Sequence, residues 1–323
     1  MAQYVDVMTT IAIPKEMREN LDELLSPNRQ SQYRGGIGQL QWLQMQGNPL
    51  IAYETSLLQV QAAAPNGHHL WNLNKTMRTA KTYREVYDNV VGMQGKVTWE
   101  ILADAAWANR PDGSSTSGHL IVAARNAVSQ GQQVPISLVS WSSRKIRQKV
   151  WSSPGAETQA FSTALEHSSL GRVFWDELNG DLAHLENLEE YPRGTSASAL
   201  NDCKSLADAL SNRGSTVSKT SEDKRLAIEL SMIRQSLKRD ETSFQWVDNV
   251  YMAADVLTKG VERGNIKGMV QVMTESVMTL KPTDEMLEVW ARQREDLADR
   301  KKKQAELGYF VDKSKDADES DDD

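Results

Sequence analysis

The sequence predicts a mixed α/β fold. Three features of residues 95–265 carry that expectation: short β-branched runs, amphipathic helical stretches between them, and Gly, Ser, Pro and Asn at the junctions. Taken in order, residues 97–102 form a first strand that leads to Asp104. The loop Pro111-Asp112-Gly113-Ser114-Ser115 turns the chain into a second strand at 118–124, and a third follows at 134–141. Short consecutive runs of this kind join most simply as antiparallel hairpins. Pro154 suits the first turn of a helix with Ser153 as its N-cap, and Phe161, Leu165 and Phe174 carry that helix towards residue 178. A charged linker at 186–194 precedes a weak strand ending at Asn201, whose Ser196-Ala197-Ser198-Ala199-Leu200 lacks β-branched residues. Helices follow at 203–212 and 222–239, then a last strand at 243–247 and a helix containing Asp255. The expected order is βββ-α-β-α-(α)-β-α.

The flanks read differently. Residues 1–94 are mixed and Gln-rich, with helical spacing at Leu21, Leu24 and Leu25 and again at Ile37, Leu40 and Leu43. Residues 266–311 read as helical, above all 284–307, where Thr283 or Asp284 can cap and Met286, Leu287, Trp290 and Leu297 form an apolar stripe. Residues 312–323 hold seven acids against two lysines and read as a disordered acidic tail. Four zones are therefore expected: 1–94, 95–265, 266–311 and 312–323.

Composition narrows the function classes. No run of 18 apolar residues occurs in the 323, which argues against a membrane-spanning helix, and the first residues show no secretory signal. A single cysteine, Cys203, permits no internal disulfide, and an intracellular setting is expected. The net charge of −7 argues against a nucleic-acid partner until the tail is separated: the tail carries −5, which leaves −2 for residues 1–311. With one cysteine, and no third ligand in sequence reach of the His68-His69 pair, a zinc site is not expected.

Four acids fall at junctions between elements: Asp104 at the end of the first strand, Glu157 at the start of the first long helix, Asp202 after the central strand and Asp255 at the last helix. Taken singly, each is what a helix cap or a dipole-stabilised terminus looks like. Two-metal phosphodiester cleavage requires carboxylate oxygens brought together from separate elements, because hard divalent ions need them, but spacing alone does not set these four above the other forty acids.

The wording around those acids resembles the ribonuclease H domain of copia-type retrotransposons. Ala103-Asp104-Ala105-Ala106-Trp107-Ala108 with Ser114-Ser115-Thr116-Ser117-Gly118 resembles its opening phrase. Ser140-Trp141-Ser142-Ser143-Arg144-Lys145 resembles its third strand end, and Ala156-Glu157-Thr158-Gln159-Ala160 its helix start. Asp202-Cys203-Lys204-Ser205 falls where that family has D-N-x-S, and Ala254-Asp255-Val256-Leu257-Thr258-Lys259 matches A-D-x-L-T-K. Upstream, Tyr33-Arg34-Gly35-Gly36-Ile37-Gly38-Gln39-Leu40 and Pro49-Leu50-Ile51-Ala52-Tyr53 are similar to the end of the copia-type reverse transcriptase. Tyr4-Val5-Asp6-Val7 departs from the polymerase Y-V-D-D at Val7, and no polymerase activity is expected.

The resemblance implies a ribonuclease H-like fold with a five-stranded mixed sheet, preceded by a mainly helical polymerase tail. It implies Asp104, Glu157, Asp202 and Asp255 as catalytic metal ligands, Mg²⁺ or Mn²⁺ as cofactor, and an RNA–DNA hybrid as substrate. It also implies a place beside the rest of a Pol polyprotein. Departures are Ala106, Cys203 and the absence of a histidine after His184, which leaves a product-release loop histidine without a counterpart. Phosphate contacts are expected from Arg144, Lys145, Arg147 and Lys149, from Ser115 and Thr116, and from Lys219 and Lys224. Trp107, Trp141, Trp151, Trp175 and Trp246 are expected to pack in the core. A non-catalytic interaction module that keeps the fold is the alternative.

Overall fold

The computed structural model describes residues 2–86, 90–93, 97–128, 131–179, 195–211 and 224–306. The expected linker at 186–194, Lys219 and the acidic tail at 312–323 lie outside the described residues.

The amino-terminal part is helical: α1 (Ala2–Val7), α2 (Lys15–Glu19), α3 (Pro27–Met45), α4 (Ala52–Val60) and α5 (Gly67–Thr82). Ile37, Leu40 and Leu43 lie on α3 and are buried together with Tyr33, Leu70, Leu73 and Met77. The segment around Leu21–Leu25 is not helical. It forms a turn, and Leu24 bridges Asn66 as an isolated antiparallel pair. The six residues between Asn20 and Pro27 are too few to propagate a helix once nucleation must be met.

Next come β1 (Thr98–Ala106), β2 (Thr116–Ala124), β3 (Gln133–Lys145) and α6 (Ser153–Leu178), then β4 (Ser196–Asn201), α7 (Lys204–Ser211), α8 (Lys224–Arg239) and β5 (Thr242–Trp246). A short α9 (Val256–Lys259), α10 (Ile266–Val270), β6 (Val277–Thr279) and α11 (Asp284–Glu306) complete the described chain. The sheet order is β5-β4-β1-β2-β3-β6, with β1, β2 and β3 antiparallel and β4 and β5 added parallel to β1. The hairpin meander and the parallel crossovers follow the expected order.

Three local expectations are corrected. The sheet has six strands, because Val277–Thr279 pairs antiparallel with the start of β3 inside a zone read as helical. Three residues show no period of two, so this strand has no signature of its own. The N-cap of α6 is Ser152, whose hydroxyl accepts from the Gly155 N–H, so Glu157 falls in the second helical turn. On α11, Met286, Val289 and Trp290 are buried whereas Leu287 is exposed.

Strand β4 sits between β1 and β5 despite its small residues. Ala197 and Ala199 pack under α6 and α8 with Trp99, Ile101, Phe161 and Ile233, and Leu200 faces the opposite core. Strand β4 is buried along all but its first residue, so packing overrides its low β propensity. That opposite core contains Leu102, Leu120, Val122, Leu257 and Trp290, and also Leu50 and Ala52 from the amino-terminal part. Arg172 of α6 is fully buried and donates to the Asp240 carbonyl at 2.8 Å and the Thr242 hydroxyl at 3.1 Å, tying the helix to the start of β5. No helix among the described residues is long and apolar enough to cross a membrane.

Candidate metal centre

Parallel register builds the site. Strands β1 and β4 pair as Ile101↔Ala199 and Leu102↔Leu200, so two residues further on Asp104 and Asp202 stand side by side. Glu157, on the second turn of α6, approaches the same sheet edge. Asp104, Glu157 and Asp202 each offer one carboxylate oxygen, and these lie within 4.8 Å of one another. Asp104 and Glu157 are buried; Asp202 is partly exposed. Three hard oxygen donors with no imidazole or thiolate among them suit a hard divalent cation.

Asp255 is beside this group, not in it. It lies in the 3₁₀ turn before α9, and its carboxylate is ion-paired with Lys259 four residues on. The same ammonium lies 3.8 Å from Asp104 Oδ1. Asn201, Thr258, Lys259 and Gly118, unmarked by sequence reasoning as functional, shape the centre. Asn201, fully buried, donates through Nδ2 to the Ala103 carbonyl at 2.8 Å and to Glu157 Oε2 at 3.3 Å, while its Oδ1 accepts from the Cys203 N–H. Thr258 donates to Asp104 Oδ2 and is also within 3.1 Å of the Asp255 carbonyl. Thr258 and Lys259 stood in the quoted A-D-x-L-T-K phrase; Asn201 had no signal beyond its place before Asp202. Gly118 lies opposite Asp104 in the β1–β2 pair, and a Cβ there would meet Thr258 Cγ2 at 2.8 Å. Glycine is what lets α9 lie against the sheet at this point.

Crowded buried charge shows in the titration of the site. Burial, with Asp255 and Asp202 adding to it, pushes Asp104 up to about 7, against the pull of Lys259 and the Thr258 hydroxyl. Burial and the neighbouring Asp104 and Asp202 hold Glu157 well above the usual carboxylate range. Asp202 is raised chiefly by burial. Burial alone would lower Lys259, but Asp104, Asp255 and Asp202 hold it above the ordinary lysine value. The centre therefore has an excess of acids that one ammonium only partly offsets.

The expected nucleic-acid contacts divide. Ser115 and Thr116 are buried: the Ser115 hydroxyl accepts from the Ala108 N–H, and the Thr116 hydroxyl donates to Asn109. They close the turn after β1. Lys145 is ion-paired with Asp112. Arg144, Arg147 and Lys149 lie at and after the end of β3, and Lys224 opens α8; Arg144, Arg147, Lys149 and Lys224 are exposed. Trp107 and Trp151, expected in the core, are exposed at 49% and 69%. Trp107 Nε1 donates to the Val150 carbonyl at 3.3 Å, and the Lys149 ammonium lies 4.6 Å over the Trp151 ring. Trp107 follows the end of β1 and Trp151 precedes α6; both lie outside regular elements, where apolar character alone does not decide burial.

Three antiparallel strands continued by two parallel ones, with acids at the central strand ends, define a ribonuclease H-like α/β fold carrying a carboxylate cluster that can hold a divalent cation. No family model and no curated protein matches the chain. Among solved structures, the solution structure of the PFV RNase H domain is similar at 12% identity and a TM-score of 0.28, over 56% of this chain and 92% of that one. The foamy viral protease-reverse transcriptase in complex with dsDNA is similar at 13% identity and a TM-score of 0.29, over 58% of this chain and 99% of that one. The same enzyme in complex with an RNA/DNA hybrid is similar at 11% identity and a TM-score of 0.28, over 55% of this chain and 24% of that one. The fold is defined here by strand order and register.

Proposed function

We propose that the chain is a metal-dependent nuclease that cuts the RNA strand of RNA–DNA hybrids, as the ribonuclease H part of a copia-type retroelement polyprotein. On this reading residues 95–265 are the nuclease domain, 1–94 a reverse-transcriptase remnant, 266–311 a carboxy-terminal extension and 312–323 an acidic tail. The observation that carries it is the meeting of Asp104, Glu157 and Asp202, from two strand ends and one helix, within 4.8 Å.

Asp104, Glu157 and Asp202 would hold Mg²⁺ or Mn²⁺, with Asp255 available once its pairing with Lys259 opens. When bound, such an ion supplies an activated water and stabilises charge developing at the phosphate. Asn201 orients Glu157, and Thr258 orients Asp104. Lys259 offsets part of the carboxylate charge and can donate to a phosphate oxygen. Arg144, Arg147, Lys149 and Lys224 are exposed and would meet substrate phosphates, whereas Lys145 must first leave Asp112. Trp107 and Trp151 offer exposed faces beside them.

The direct test is cleavage of a labelled RNA–DNA hybrid with Mg²⁺ and with chelator. Mg²⁺-dependent cutting that Asp104→Asn abolishes is expected. One observation favours the alternative, a non-catalytic nucleic-acid-binding module: the ion pair between Lys259 and Asp255, which already neutralises part of the centre. Equal inertness of wild type and Asp104→Asn, with hybrid binding kept, would establish that reading instead.

A further inference from the structure

The groups that touch Asp104 are themselves held from the amino-terminal part of the chain. Asn109, in the turn after β1, donates through Nδ2 to the Thr258 carbonyl at 2.9 Å and to the Tyr53 hydroxyl at 3.1 Å. Tyr53 belongs to α4. The next residue of α4, Glu54, accepts the Val261 N–H at 3.3 Å. Between these anchors lies Gly260, at φ +74°, where a Cβ would meet Tyr53 Cδ1 at 2.9 Å and crowd the Glu54 carboxylate. Positive φ and the absence of a side chain are both needed there, because α4 lies directly on the turn. Three of the four residues from Thr258 to Val261 are thus fixed by α4, directly or through Asn109.

This matters for chemistry because Thr258 is β-branched. Once its backbone is placed, few χ1 rotamers remain, and the one adopted aims its hydroxyl at Asp104. Lys259, the next residue, sets its ammonium between Asp255 and Asp104.

We propose that α4, through Tyr53 and Glu54, is a positioning element for the carboxylate centre, holding the Thr258–Val261 backbone so that the Thr258 hydroxyl and the Lys259 ammonium meet Asp104. The inference rests on reading that centre as the nuclease site. It makes the amino-terminal helices part of the site's support, and Tyr53 and Glu54 positioning residues that never touch substrate.

The test uses the full chain and two readouts. Tyr53→Phe and Glu54→Leu, each of which removes its acceptor, are made alone and in an Asp104→Ala background that removes the acceptor for Thr258, and melting temperatures are compared in metal-free buffer. Trp141→Phe is the comparator: it removes the 2.8 Å bond from Trp141 Nε1 to the Gln44 carbonyl, another contact to the amino-terminal helices that lies off the path to Thr258. The Tm losses of Tyr53→Phe and Glu54→Leu should shrink by half or more in the Asp104→Ala background, whereas that of Trp141→Phe should not. Calorimetric Mn²⁺ binding should weaken about tenfold in the first two variants and stay unchanged in the third, as expected of groups that orient a ligand. Additive Tm losses, or unchanged Mn²⁺ affinity where wild type binds, would overturn the proposal. If wild type binds no Mn²⁺ while the Tm coupling is present, positioning of Asp104 stands and the metal-centre reading falls.

Discussion

Thr258 donates its hydroxyl to Asp104 across 154 residues of sequence, joining α9 to the carboxylate on β1. The bond is possible because Gly118, opposite Asp104 on β2, leaves room for Thr258 Cγ2 and Leu257 Cβ, which a Cβ would approach to 2.8 and 2.9 Å. The contact has consequences for stability, metal binding and pH.

Gly118→Ala should push α9 off the sheet. A destabilisation of about 1–3 kcal/mol is expected from such overpacking. The Mg²⁺-induced rise in Tm should shrink as well, because Thr258 no longer orients Asp104. Urea unfolding and thermal shift with and without Mg²⁺ check both.

Asp104→Asn should stabilise the metal-free protein at pH 8 and abolish its response to Mg²⁺. The folded-state value of Asp104, about 7, lies above its unfolded value, so above pH 7 the native state carries a buried charge that the unfolded chain carries at no cost. Asparagine removes that charge and still accepts from Thr258. A Tm at pH 8 no higher than wild type, or an intact Mg²⁺ shift, would contradict the assignment of Asp104.

Glu100 gives a cleaner pH prediction because only burial raises it. It is fully buried on β1; one oxygen accepts the Val128 N–H at 3.1 Å and the other has no partner among the described residues. Its folded value is about 8. The native state therefore holds a proton that the unfolded state releases above the ordinary glutamate range, and stability falls as pH rises from 5 to 8. Glu100→Gln should flatten that limb and add about 1–3 kcal/mol at pH 7. On the acid side the sign reverses for His119, which burial, with His167 and Arg144, lowers to about 3. Its unfolded form gains a proton below the ordinary histidine value, so stability is lost as pH falls through 6 to 3. Urea midpoints from pH 4 to 8.5, for wild type and Glu100→Gln, test both limbs.

Arg147→Ala with Lys149→Ala should weaken hybrid binding uniformly across sequences and reduce the slope of log K against log salt by about 2. Lys145→Ala should do less, since Lys145 is paired with Asp112. Trp151→Ala should weaken binding with little change in salt slope, because stacking carries no counterions. Fluorescence anisotropy across a KCl series separates the three.

The sequence by itself determined the order of elements and the positions of the acids along them. Those features are local: β-branched runs set β1, β2 and β3, Pro154 and its preceding serines start α6, and Asp104 and Asp202 sit at strand ends whatever the strands pair with. Tertiary structure alone decided which acids meet. Parallel register set Asp202 beside Asp104, and the approach of α6 added Glu157. Lys259 claimed Asp255, a partner four residues away that spacing permits but does not require. Burial too was decided at that level, since it depends on what crosses above a residue: Ser115 and Thr116 went inward, Trp107 and Trp151 outward. The three-residue β6 and the grip of Tyr53 and Glu54 on the Thr258–Val261 turn have no sequence period at all. They exist because segments far apart in the chain meet over one sheet, and periodicity records which face of an element is apolar, never which distant element covers it.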